Sequence, residues 1–365
     1  MVHSTRTPAW SWALPIVGVA LFAFATWVGF GDDFASDPLG IAIAIILIPL
    51  LMGAVFSAVY HAEEVAHLTG EPIGTLVLTM AVTVIELALI VSLMLTGKAA
   101  PTLVRDTVFS VVMIITTGLV GACLLVGGIR YREQSFDVTS AKIYLAMLLV
   151  LTTLSIILPN YTSSAPGRLY STSQLAFMSF AIIALYAVFV FTQTVRHRDY
   201  FAGDYDPPDP NAETGGKLIS SIFLLCIALV AVVVLAKLFA IEVNAAVSAV
   251  GAPPAFSGVV IAFIVLLPES IAAIRAASRD NLQKSINLAL GSSLATIGLT
   301  IPAIAAANII LQKPLILGLD PRDMALVVMT LGASILTFGT GRTNVLFGFL
   351  HLVLFGTFLF FAVVP

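Results

Sequence analysis

Charged residues are scarce in this chain. Only 10% of its 365 residues are Asp, Glu, Lys or Arg, against about 25% in a water-soluble domain. That deficit excludes an ordinary soluble fold. The formal net charge is −3, which leaves no basic surface for nucleic acid or for anionic lipid head groups. Cysteine is nearly absent as well. The two present, Cys123 and Cys226, fall inside apolar runs. They read as small buried apolar residues, too few for a disulfide framework or a cysteine metal centre. What the chain has instead is apolarity, with 59% hydrophobic residues and a mean hydropathy of +1.06.

The apolar residues come in runs of about 20, each long enough to cross a hydrocarbon core about 30 Å thick. In lipid the backbone must satisfy its own hydrogen bonds, so only helices or closed barrels span it. The runs are continuous and do not alternate, which selects helices. The predicted fold is an all-α integral membrane protein with eleven spans, over 10–30, 39–60, 72–95, 102–128, 141–159, 171–194, 218–239, 255–276, 283–311, 322–339 and 344–364. The first run follows Arg6. It is longer than a signal-peptide core and lacks a clear cleavage site, so it is expected to remain as a span.

Loop charges set the orientation. With the N-terminus inside, the inner loops hold 11 Lys and Arg and the outer loops 6, together the 17 of the chain. The expected topology is N-terminus in the cytoplasm and C-terminus outside, in a cell inner membrane. The stretch VRHRDYFAGDYDPPDPNAETGGK (195–217) holds five acids and three prolines and reads as a solvated cytoplasmic linker. It divides the chain into an N-terminal segment with one span (1–38), a five-span block (39–194) and a second five-span block (218–365). An odd number of spans per block turns the second upside down relative to the first, the inverted-repeat plan of many secondary transporters.

Two acids stand apart from the loops: Glu86, in MAVTVIELALIV, and Glu269, in AFIVLLPESIAAI. Each is expected near the middle of its span, where a charge costs at least about 2.5 kcal/mol. One such residue reads blandly as a protonated glutamate bonded to a neighbouring helix. Two in register are harder to dismiss. Both lie in the second span of their block. Ser110 follows Glu86 by 24 residues, and Ser293 follows Glu269 by 24; Thr117 and Thr300 keep the same offset. In-helix hydroxyls often bond only to their own backbone, so it is their coincidence with the acids that makes the repeat credible. Inverting one block would bring the two glutamate helices together near the midplane. Two carboxylates there would form a hard-oxygen metal site of the kind calcium favours. Pro268 has no N–H and frees the carbonyl of Ile264 beside Glu269, although a plain structural kink is the alternative. Burial and a like neighbour favour a protonated carboxyl, and a bound cation favours the carboxylate. Proton and cation would then take turns, which is exchange.

Other polar groups are weaker candidates. Asp106, in LVRDTVF, would either admit ions on the outer side or simply pair with Arg105. Glu64 and His67, in HAEEVAHLTGEP, would sense pH or belong to a solvated amphipathic connector; their spacing is not that of an HExxH zinc site. His351 falls inside a span and reads as a core histidine. An intramembrane hydrolase built on Ser292 or Ser293 with His351 is a second function class, and a passive cation channel a third.

The segments HLTGEPIGTLVLTMAVTVIELALIVSLMLTGKAAPTLVRDTVFSVVMI, FSGVVIAFIVLLPESIAAIRAA, NLALGSSLATIGLTIP and FGTGRTNVLFGFLHL resemble the cation/proton exchanger branch of the calcium/cation antiporter superfamily. The resemblance runs over nearly the whole chain. It implies an essential acid in each repeat, at Glu86 and Glu269. It also implies transport of Ca2+ and/or Na+ or K+ against H+, with no bound cofactor and no nucleic-acid partner; the lipid bilayer is the one obligatory surrounding. Many members carry Gly-Asn shortly before each acid, where the asparagine helps hold the cation. Here those positions are Val82-Thr83 and Val265-Leu266. Thr83 keeps an oxygen and Leu266 does not. The family's Gly-Ser survives in the second repeat as Gly291 with Ser292 or Ser293, whereas the first repeat has only Ser110.

Overall fold

The computed structural model describes residues 7–29, 38–70, 73–95, 101–201, 214–311 and 315–364. In chain order its helices begin with α1 (Trp10–Val28), α2 (Pro38–Thr69), α3 (Ile73–Leu95) and α4 (Leu103–Met113). A π-helical turn, Ile114–Leu119, carries α4 into α5 (Val120–Tyr131). Strand β1 (Glu133–Ser135) follows, then α6 (Val138–Thr152), α7 (Thr172–Phe191), α8 (Arg198–Phe201) and α9 (Thr214–Ala249). The last group is α10 (Phe256–Ala277), α11 (Leu282–Ala295), α12 (Ile301–Leu311), α13 (Pro321–Phe338), strand β2 (Arg342–Asn344) and α14 (Val345–Val363). Among the described residues, eleven helices or helix runs are long and apolar enough to cross a membrane. The chain is a multi-pass, all-α membrane protein.

Several boundaries differ from the sequence expectation. α2 does not stop near residue 60 but runs to Thr69. Ala62 and Val65 continue its buried stripe while Glu63 and His67 face outward, so the expected connector is the last part of a helix. His61 is therefore a second histidine inside a span. α9 runs to Ala249, past the expected end at 239, because IEVNAAV keeps an apolar face on Val243 and Val247. Cys226 is exposed on α9, not buried as expected, whereas Cys123 is buried. Of the acidic linker, 195–196 and 198–201 are helical, with a bend at His197; 202–213, with Asp204, Asp206, Asp209 and Glu213, lies outside the described residues.

By packing, the chain divides into two compact units: 1–99 with 206–254, and 100–205 with 255–365. The first holds α1, α2, α3 and α9. α2 and α9 form its main seam, and α1 and α3 each lie against both. Ala54, Ala58 and Ala62, one turn apart on α2, are fully buried. Small residues allow close helix approach where lipid supplies no hydrophobic drive. A Cβ on Gly53 would meet Leu14 Cδ1 at 2.6 Å, and one on Gly18 would meet Leu235 Cδ1 at 2.8 Å.

The second unit is built around the α4–α5 run, against which α10 and α14 pack, with α11 on α10. α10 crosses α4 at Gly258, where a Cβ would lie 2.8 Å from the Asp106 carbonyl carbon and the Thr107 nitrogen. At one end, β1 and β2 pair antiparallel, Gln134 opposite Thr343. Gln134 donates to the Ala277 carbonyl (3.1 Å) and to Asp280 Oδ1 (2.9 Å). Asp137 caps α6 by accepting from Ser140 N at 2.7 Å, which satisfies a backbone donor that the helix start leaves open.

Candidate cation and proton site

In the first unit, α3 is an apolar helix whose only titratable residue is Glu86, 1% exposed. One turn earlier Thr83 is also buried, and its hydroxyl donates to the Thr79 carbonyl at 2.8 Å. That bond uses the proton and leaves oxygen lone pairs for a ligand.

The second unit carries the richer set. Glu269 sits on α10 directly after Pro268, which lies inside the helix. The proline ring removes the N–H that the Ile264 carbonyl would accept. α11 packs on α10 and bears Ser292 and Ser293. The buried hydroxyls of both have no hydrogen-bond partner among the described residues, although a helical serine ordinarily bonds back one turn. Ser110 on α4 does so, donating to the Asp106 carbonyl at 2.6 Å. A carboxylate, a proline-released carbonyl and two open hydroxyls on neighbouring helices make an oxygen-rich set suited to a hard cation.

The two matched spans share a further feature that sequence reasoning missed. α4–α5 is interrupted by π-helix at Ile114–Leu119 and α11–α12 at Thr296–Thr300, each a few residues past Ser110 or Ser293 and enclosing Thr117 or Thr300. π-turns shift the carbonyl ladder by one residue and recur at functional sites. In the first of them, Thr117 donates back to Met113, and the Thr116 carbonyl accepts from His351 Nδ1 at 2.7 Å. His351 is fully buried, and its Nε2 lies 3.0 Å from Thr337 Oγ1. Both ring nitrogens are thus engaged in packing the helix core, leaving neither to serve as a base for Ser292 or Ser293.

The two weaker acidic candidates, Asp106 and Glu64, are in ion pairs. Arg105 Nε donates to Asp106 Oδ1 at 2.8 Å, and Thr102 Oγ1 donates to Asp106 Oδ2 at 2.7 Å. Arg105 also donates to the Gly318 carbonyl (3.1 Å) and approaches Asp320 Oδ2 (3.5 Å). Asp320, just outside the membrane-spanning helices, also pairs with Arg168. Burial opposes its ionisation, yet the hydrogen bond from Arg168 and the charges of Arg105, Arg168 and Arg322 hold its carboxyl below the usual range. In the first unit, Glu64 pairs with Lys217 at 2.8 Å, and His67 is on the exposed face of α2. Glu242, on the extension of α9, is a helical acid that the sequence reading placed beyond the end of its span. Its signal was the apolar run that resumes after it.

The sequence profile of the family described as "Sodium/calcium exchanger protein" matches residues 39–195 and 220–364. The chain belongs to that family. It is 42% identical to the putative ionic transporter y4hA of Sinorhizobium fredii, over 100% of this chain and 98% of that one. It is 36% identical to the sodium-potassium/proton antiporter ChaA of Escherichia coli, over 89% and 90%. Among solved structures it shares its fold with native YfkE (TM-score 0.74, 16% identity, 97% of this chain and 100% of that one). A second fold match is the H+/Ca2+ exchanger CAX (TM-score 0.68, 14% identity, 96% and 89%). This exchanger is therefore a transporter and not an enzyme. The family match begins at residue 39, so α1 lies outside it.

Proposed function

We propose that this exchanger extrudes Ca2+ and/or Na+ or K+ from the cytoplasm in return for H+, by alternating access. The observation that carries the reading is the group on α10 and α11: Glu269, the Ile264 carbonyl released by Pro268, and the open hydroxyls of Ser292 and Ser293. Glu86, with Thr83, is its counterpart in the first repeat, and Ser110 on α4 stands at the position matching Ser293. A carboxyl group in such a place holds either a proton or a share of a cation. If the bare carboxylate is too costly to carry across, every crossing is loaded and the two ions are exchanged. The name of the E. coli relative, a sodium-potassium/proton antiporter, supports monovalent cargo. So does the leucine at position 266 in place of an oxygen ligand. No resident cofactor is needed, since the ions are substrates. The excess of Lys and Arg in the proposed inner loops supports an inner-membrane protein with its N-terminus in the cytoplasm.

The test is pH-monitored exchange in everted vesicles, adding calcium, sodium and potassium in turn. Cation-dependent release of the proton gradient should appear with wild type and vanish with Glu86→Gln and with Glu269→Gln, both still present in the membrane. Near-normal exchange in either variant removes that acid from the mechanism. Cation flux that ignores an imposed proton gradient would identify a passive channel instead.

A further inference from the structure

α1 contains Pro15. A proline offers no N–H, so the carbonyl four residues before it, that of Ser11, has no donor in its own helix. Ser11 is fully buried, where an unanswered carbonyl is costly. α2 answers it twice. Ser57 Oγ donates to the Ser11 carbonyl, and His61 Nε2 lies 3.2 Å from the same oxygen. His61 is 0% exposed, and its Nδ1 has no hydrogen-bond partner among the described residues. The ring is thus a one-proton donor, with N–H at Nε2 and a bare Nδ1.

We propose that Ser11, Ser57 and His61 form a proton-operated clamp, which holds α1 on the first unit while His61 carries one proton and releases it when a second arrives. The second proton would sit on Nδ1, and a buried cationic N–H without an acceptor is incompatible with the docked arrangement. The groups around the ring do not remove this conflict. On α2 itself stand Tyr60, edge-on to the ring at 5.1 Å, and Glu63, Glu64 and His67. From α9 comes Lys217, which engages the Glu64 carboxylate at 2.8 Å. α3 offers no titratable group but Glu86, and α1 none among the described residues. α1 lies outside the residues that the family profile matches, and it packs on the two long helices α2 and α9. Helix association in lipid lacks a hydrophobic drive, so two polar bonds weigh heavily in whether α1 stays. By the loop-charge topology this end faces the cytoplasm, where falling pH signals surplus protons. The clamp holds whichever cation is carried.

The chain reports on α1 by itself: its three tryptophans, Trp10, Trp12 and Trp27, all lie there, and Trp10 stands edge-on to Tyr60 at 5.6 Å. In full-length protein carrying Trp12→Phe and Trp27→Phe, reconstituted in liposomes, acrylamide quenching of Trp10 is followed from pH 8 to pH 5. The quenching constant should rise at least about two-fold as pH falls below the free imidazole value of about 6.5. It should stay flat with His61→Gln, whose amide still donates but does not titrate. Pro15→Ala gives the Ser11 carbonyl a donor within α1 and should shrink the response. A parent without a transition, or an undiminished transition in either variant, overturns the clamp. No ion flux enters the readout, so failure here is separate from failure of the exchange assay.

Discussion

A serine in a membrane helix can donate its proton to its own backbone or leave its hydroxyl open for something else, and α4 and α11 show one case each. Ser110 is committed to Asp106; Ser292 and Ser293 are open. Leaving a buried hydroxyl without a partner costs about 1–3 kcal/mol, which a bound cation would offset. Ser293→Ala should therefore leave the melting temperature unchanged or slightly raised, while the cation concentration for half-maximal exchange rises about tenfold, equivalent to about 1.4 kcal/mol. A fall in stability with unchanged half-saturation would make the serine structural. Leu266 gives the converse case. It is 1% exposed, at the position where many family members place asparagine. Leu266→Asn should lower stability, because it buries an amide, and should shift exchange toward calcium; unchanged selectivity would count against the ligand argument. Outside the membrane, Asp320 links stability to acid. Its depressed carboxyl contributes stability that is present above its unfolded value, about 3.9, and is lost as pH falls through the lower folded value. The side chain is 42% exposed, so the contribution is under about 1 kcal/mol. Asp320→Asn should lower the melting temperature slightly at pH 7, with the difference from wild type closing in strong acid.

At the level of helices, the close crossing of α10 and α4 depends on one missing methyl group. A Cβ on Gly258 would press on main-chain atoms of Asp106 and Thr107, which cannot rotate away, whereas one on Gly332 would meet nothing within 4 Å. Overpacking of this kind costs about 1–3 kcal/mol. Gly258→Ala should lower the melting temperature and depress exchange, while Gly332→Ala does neither; equal behaviour of the two would dismiss the crossing. The spans themselves were legible because about 20 continuous apolar residues leave few alternatives in lipid. Their ends were less so. HAEEVAH looks like a loop by charge, yet it stays helical because Ala62 and Val65 keep the buried stripe going. Glu86 and Glu269 stood out as candidates for a simple reason: a carboxyl in an apolar run is conspicuous. The π-turns were not, because they arise from packing and leave no composition signal. The grouping of α1, α2, α3 and α9 into one unit was equally hidden, since it joins stretches more than 100 residues apart. The Ser11 clamp sits between these extremes. Pro15 announces a free carbonyl in the sequence, but only the packing of α1 on α2 names its donors.

For the whole molecule, the proposed topology puts the two termini on opposite faces of the bilayer, and an inverted pair of five-span blocks would give each acid a counterpart. These features lead to one energetic expectation. If Glu86 and Glu269 serve a single exchange step, the first loss already abolishes it and the second has nothing left to remove. Groups acting as a unit are strongly non-additive in this way. Glu86→Gln/Glu269→Gln should then show the same residual exchange as either single variant, with no further fall in rate. Independent ion pathways through the two repeats would behave otherwise, each single variant keeping part of the flux and only the double losing it all. The same vesicles report direction. With the C-terminus outside, a C-terminal phosphatase reporter is active and a C-terminal green fluorescent reporter dark. In everted vesicles with an acid interior, the proton gradient should drive cation in as protons leave. The reverse reporter pattern would invert the orientation and, with it, the assignment of the His61 end to the cytoplasm, while leaving the non-additivity of the two glutamates as the separate test of whether they serve one exchange step.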